Sequence, residues 1–128
     1  LPSILIISHS SDVAKGVKDM CLQMAPGVKI EAVGGTKEGT LGIDAEEVFV
    51  RMKTLLKESR EIVVLGDIGS TIMAAKNAIE MLGSPPNIRI ADAPLVEGAI
   101  IAAVEASLGS PLEKVVKKAE ETRFVNKL

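Results

Sequence analysis

The chain has a single histidine, His9, placed where an apolar run ends in the stretch ILIISHSSDVAKG, residues 4–16. A second stretch, GDIGST at residues 66–71, offers Asp67 together with Gly69, Ser70 and Thr71. A third, at residues 34–36, offers Gly34, Gly35 and Thr36. An imidazole paired with a carboxylate is a nucleophile. The carboxylate accepts a hydrogen bond from one ring nitrogen, fixes the tautomer and leaves the lone pair of the other free to attack. It also stabilises the positive charge that develops on the ring. Serines near a helix start, at 10–11 and again at 70, accompany unpaired N–H groups and the positive end of a helix dipole. Glycines at 34, 35 and 69 let backbone come close to a bound group. These residue types suit a phosphoryl group held briefly on His9.

That chemistry needs His9 and Asp67 on one edge, and the pattern of elements predicts it. ILIIS (4–8) reads as a buried strand. Residues 11–25 read as a helix with Val13, Val17, Met20, Cys21 and Met24 on one face, capped by Ser10 or Ser11 and ended by Pro26-Gly27. VKIEAV (28–33) alternates as a half-buried strand and runs into a glycine-rich loop. Asp44 and Glu47 have capping-box spacing ahead of a helix striped by Val48, Met52, Leu55 and Leu56. EIVVL (61–65) is a third strand, followed by a helix over about 70–82, and NIRIA (87–91) is a fourth. An apolar helix and a charged one, with Ser110 as cap and Pro111 at its first position, complete the chain. The tail beyond Glu121 reads as loosely held.

This β-α-β-α-β-α-β-α-α order predicts the α/β class: one domain, residues 1–128, with an open, mainly parallel four-stranded sheet and helices on both faces. Such sheets bind ligands beyond the carboxyl ends of their strands, where the winding reverses. With strand one between strands two and three, in the order 2-1-3-4, the loops carrying His9 and Asp67 meet at that point.

Composition narrows the function. Two Phe, no Tyr, no Trp and a net charge of −2 argue against base stacking and against nucleic-acid binding. One cysteine and one histidine exclude a disulfide within the chain and the usual Cys- or His-rich metal sites. No apolar run reaches the length of a membrane span, and the start lacks the pattern of a secretory signal, so a cytoplasmic protein is expected. Plainer readings exist for each residue: Ser10, Ser11 and Ser70 as helix caps, Asp67 as a turn former, Gly34-Gly35 as a tight turn, and Cys21 as an inert core thiol. Met20, Met24, Met52 and Met81 read as core packing. A receiver-like binding module would need acidic residues where SHSS stands. A histidine phosphatase would need an arginine at a strand's carboxyl end, and Arg51, Arg60 and Arg89 do not sit there.

The segments ILIISHSSDVAKGV, GDIGST and ADAPLVEGAIIAAV together resemble the mannose-type IIA domains of the bacterial phosphotransferase system, over about residues 3–121. The APLVEGA segment is more similar to the branch that serves phosphoenolpyruvate-dependent dihydroxyacetone kinases. The resemblance implies that His9 is phosphorylated on Nε2 by the carrier HPr, and that Asp67 orients its ring. It places Gly35, Thr36, Gly69, Ser70 and Thr71 around the phosphate. It implies transfer to ADP held on the kinase subunit DhaL, a homodimer, and no cofactor or metal. The nearest alternative is a sugar-transport IIA domain that passes the group to a IIB domain. The chain ends before any HPr-like or IIB domain, so a separate donor protein is expected.

Overall fold

The computed structural model describes residues 1–128. Four strands, β1 (Ser3–Ser8), β2 (Ile30–Gly34), β3 (Ile62–Gly66) and β4 (Ile88–Ile90), form one parallel sheet in the order β2-β1-β3-β4. Five helices connect and follow them: α1 (Ser11–Met24), α2 (Ala45–Glu58), α3 (Gly69–Met81), α4 (Leu95–Ser107) and α5 (Leu112–Glu121).

The central strands are apolar throughout because both their faces are covered. Every residue of β1 is buried. Ile4 and Ile6 point into a core with α1, α4 and α5, while Leu5 and Ile7 point into a second core with α2 and α3. Four alanines of α4, at 99, 102, 103 and 106, are fully buried and let that helix lie close to its neighbours. Asp44 caps α2, accepting from the N–H groups of Glu46 and Glu47 at 3.1 and 3.2 Å. Glu47 does not complete a capping box; it pairs with Arg51 one turn on, at 3.1 Å.

The sheet and its order match the expectation, but some details differ. In α1 the buried residues are Ala14, Val17 and Cys21, whereas Val13, Met20 and Met24 are exposed. Small Ala14 is what allows α1 to approach the sheet, and a stripe drawn through large apolar residues misses it. Met81 is also exposed; of the four methionines read as core, only Met52 is buried. Burial pushes the Cys21 thiol up to about 11, so it stays protonated and unreactive at neutral pH. Ser110 does not cap α5. Pro111 occupies that position, and the Ser110 hydroxyl donates to Glu105 at 2.8 Å. The tail makes two exposed ion pairs, Arg123 with Asp92 at 3.0 Å and Lys127 with Glu97 at 2.6 Å, across the start of α4, while Phe124, Val125 and Leu128 stay exposed.

A candidate phosphotransfer site

β1 lies between β2 and β3, so the chain leaves β1 for one neighbour and later returns to pair with the other. The loops after β1 and β3 diverge there, and His9 and Asp67 stand at their first positions. The aligned register, with Ile7 opposite Gly66, brings the two residues side by side.

Asp67 reaches His9 through its main chain and not through its ring. The carboxylate accepts from the His9 N–H at 3.1 Å, the Ile68 N–H at 2.7 Å and the Ser8 hydroxyl at 2.6 Å. The expected bond between Asp67 and the imidazole is therefore replaced by a clamp on the residue that bears it. The reason is local: the two strand ends are adjacent, and the nearest donors to a carboxylate leaving β3 are the amides of the two turns. The other side of His9 is held as well, because its carbonyl accepts the Gly42 N–H at 2.8 Å.

The ring is half-buried, and Nδ1 is enclosed without a hydrogen-bond partner. Nε2 is the ring nitrogen open to solvent. A ring protonated on the enclosed Nδ1 presents the Nε2 lone pair outward, the state in which imidazole attacks phosphorus.

Burial is the largest single influence on the Asp67 carboxyl and would raise its pKa. The hydrogen bonds from Ser8, Ile68 and His9 together outweigh it and hold the group below its ordinary value. Asp67 is thus ionised near neutrality and adds negative charge beside the ring.

Two helices begin at this edge. The Ser10 hydroxyl caps α1 by accepting the Val13 N–H at 3.3 Å, which leaves the N–H groups of Ser11 and Asp12 without a protein acceptor. At the start of α3 the N–H groups of Gly69 and Ser70 are likewise free. Gly69 and Ser70 are exposed, and a side chain at 69 would meet nothing within 4 Å. Free amides at helix starts can hold phosphoryl oxygens.

Thr71 does not share that role. It is fully buried, and its hydroxyl donates to the Ile68 carbonyl at 2.7 Å, which fixes the first turn of α3. Thr36 shares its hydroxyl hydrogen bond with that of Thr40 at 2.7 Å, so it closes its own loop. Gly35 takes the left-handed conformation, φ 76°, that turns the chain toward that loop.

Gly34 has the more direct part. A Cβ there would lie 2.5 Å from the Ser10 carbonyl oxygen, a backbone atom at the cap of α1. Gly34→Ala must displace either β2 or the start of α1. It is expected to destabilise the fold by about 1–3 kcal/mol, read as a lower denaturation midpoint. Unchanged stability would mean that the approach is looser than described.

Sequence reasoning missed Ser8 and Gly42. Ser8 looked like the end of an apolar strand, and Gly42 like one more glycine in a loop. A polar residue closing a wholly apolar strand beside the one histidine was the available signal for Ser8; nothing local marks Gly42. The largest cleft, about 550 Å³, flanks β2 and touches this edge only at Ser11 and Gly34. No cluster of three or more His, Cys, Asp or Glu side chains is present to hold a metal.

Comparison with known proteins bears on this geometry. The family model described as the phosphotransferase system fructose IIA component, EIIA-man, matches residues 3–116. The DhaM phosphoryl donor subunit of phosphoenolpyruvate-dependent dihydroxyacetone kinase 2 from Listeria innocua is 35% identical over 119 residues, covering 91% of this chain and 94% of that one. The corresponding DhaM of Escherichia coli K12 is 31% identical over 120 residues, 89% of this chain and 25% of that protein. The chain thus spans nearly the whole of the first relative and about a quarter of the second. A crystal structure of an unknown function protein, EF1359, superposes with a TM-score of 0.81 at 31% identity, over 94% of this chain and 93% of that one. The chain belongs to the EIIA-man family of phosphotransferase-system domains. Within that family it groups with the DhaM subunits of phosphoenolpyruvate-dependent dihydroxyacetone kinases, and its role is phosphotransfer.

Proposed function

We propose that the chain is a phosphohistidine carrier in which His9 accepts a phosphoryl group from HPr on Nε2 and passes it to ADP held on DhaL. That transfer would support the phosphorylation of dihydroxyacetone on DhaK. The observation that carries this reading is a histidine held by its main chain on both sides, with one ring nitrogen enclosed and the other open. In the first step the Nε2 lone pair attacks phosphorus. The new P–N bond forms as the bond to the donor breaks, its electron pair remaining on the donor, and Nδ1 keeps its proton. In the second step a terminal oxygen of ADP attacks, and the P–Nε2 electron pair returns to the ring. Asp67 holds the residue in place and offsets the developing positive charge, while the free amides of Ser11, Asp12, Gly69 and Ser70 receive phosphoryl oxygens. This chemistry is carried by the polypeptide alone, as a single phosphocarrier domain in the cytoplasm, and the working unit is a homodimer.

Incubation with phosphoenolpyruvate, enzyme I and HPr should add one acid-labile phosphoryl group to the intact mass, and DhaL loaded with ADP should discharge it. Phosphorylation without discharge by DhaL would favour the sugar-transport branch, in which a IIB domain is the acceptor. No phosphorylation would remove His9 from the reading.

Both partners must reach the same edge, where Leu41 and Ile68 are large apolar side chains, 71% and 50% exposed. Exposed apolar residues beside a reacting group are typical anchors for a protein partner. Leu41→Glu is expected to raise KM for phospho-HPr about tenfold, as loss of one anchoring contact does. The rate with a small donor such as phosphoramidate should not change. An unaltered KM would place donor docking elsewhere.

A further inference from the structure

Ser8 ends β1 with a side chain that is wholly buried, in a strand whose other inner residues are isoleucine and leucine. Its hydroxyl is used twice. It donates to Asp67 Oδ2 at 2.6 Å and accepts the Ser10 N–H at 3.0 Å. A hydroxyl can do both at one oxygen, and an O–H···O⁻ contact of this length is of the strong, charge-assisted kind. Asp67 in turn accepts from the His9 N–H at 3.1 Å. Ser8 therefore links the carboxylate after β3 to the turn that carries His9 and to the cap of α1. It makes no hydrogen bond to the imidazole and is closed off from the surface where a partner arrives.

We propose that Ser8 is a positioning residue for phosphotransfer, acting through Asp67 and not on the phosphoryl group. The role rests on the reading of His9 as the phosphoryl acceptor. Without the Ser8 hydroxyl, Asp67 Oδ2 loses its shortest hydrogen bond and keeps only the longer one from the His9 N–H. The carboxylate then keeps only its main-chain donors, the Ile68 N–H on Oδ1 and the His9 N–H, and the clamp on the His9 main chain loosens. The reacting nitrogen spends less time in the attacking geometry, while the donor docks as before.

The test is a double-mutant cycle read by single-turnover phosphorylation from phospho-HPr, comparing the wild type, Ser8→Ala, Asp67→Ala and the double variant. Ser8→Ala should still reach one phosphoryl group per chain, about tenfold more slowly, with KM for phospho-HPr unchanged. The double variant should be no slower than Asp67→Ala alone, because the effect of Ser8 on transfer runs through Asp67, and its second bond, from the Ser10 N–H, serves only the cap of α1. A misfolded fraction would lower the final stoichiometry and leave the rate of the remainder intact. If Ser8→Ala fails to fold, Ser8→Thr and Ser8→Val decide the matter, since they share a shape and differ in the hydroxyl. Thr should be faster than Val.

Three results would overturn the role: a wild-type rate for Ser8→Ala, a double variant slowed by the product of the single effects, or equal rates for Thr and Val. A wild type that takes no phosphoryl group, or His9→Ala that still takes one, would overturn the reading of His9 beneath it. A phosphorylated wild type with Ser8→Ala unaffected would overturn the Ser8 role alone.

Discussion

His9→Ala is expected to take the protein from one acid-labile phosphoryl group per chain to none, with almost no change in stability. Complete loss follows because the chain has no second imidazole to substitute for the first. The small effect on stability follows from how the residue is held. Both hydrogen bonds that position His9 use its main chain, the N–H to Asp67 and the carbonyl to Gly42, and alanine keeps both. The ring itself makes no hydrogen bond, and its enclosed Nδ1 has no partner to lose. Removing an unpartnered polar atom from a half-buried place costs little, so the change should stay within about 1 kcal/mol. Intact mass after incubation with the phosphoenolpyruvate relay, together with a thermal melt, measures both quantities. A phosphoryl group retained by a folded His9→Ala would assign the chemistry to another residue. A variant that does not fold would make His9 a structural residue after all.

The sheet was legible because its central strands are unbroken apolar runs and its helices begin at recognisable caps. The alternation of strand and helix implied a parallel sheet, and its commonest small arrangement, 2-1-3-4, put His9 and Asp67 on one edge. What could not be read was which atoms meet there. Pairing a carboxylate with a ring is a chemical habit carried over from other sites. Here the adjacency of two strand ends gives Asp67 three closer donors, the Ser8 hydroxyl and two amides. Thr71 shows the same limit: its place near a helix start is visible in the sequence, but the inward turn of its hydroxyl depends on the Ile68 carbonyl. The helical faces were misread where alanine does the packing, as at Ala14, because small residues carry little weight in a periodicity of large ones. Ile68, a large apolar residue, stands 50% exposed at the rim of the site.

Asp67→Ala has the second-largest effect expected, and it separates positioning from chemistry. The substitution removes the common acceptor of the Ser8 hydroxyl and the Ile68 and His9 amides. Nε2 and the free amides at the helix starts remain, so the variant should still be phosphorylated to completion. The rate should fall by about 10²–10³, the range in which loss of a positioned charge usually lies. Stability should change in a way that depends on pH. The Asp67 carboxyl is held below its ordinary value, since its hydrogen bonds outweigh the burial that would raise it. A group with a depressed folded pKa contributes stability that is fully present above its unfolded value and is lost as the pH falls through the folded one. The stability difference between wild type and Asp67→Ala should therefore be constant above about pH 5 and shrink at lower pH. Melts across that range test the electrostatic part, and single-turnover kinetics at neutral pH test the mechanistic part. A pH-independent difference in stability would mean that Asp67 acts only as packing. A wild-type rate would mean that the clamp on the His9 main chain has no part in transfer, and the role of Ser8 would fall with it.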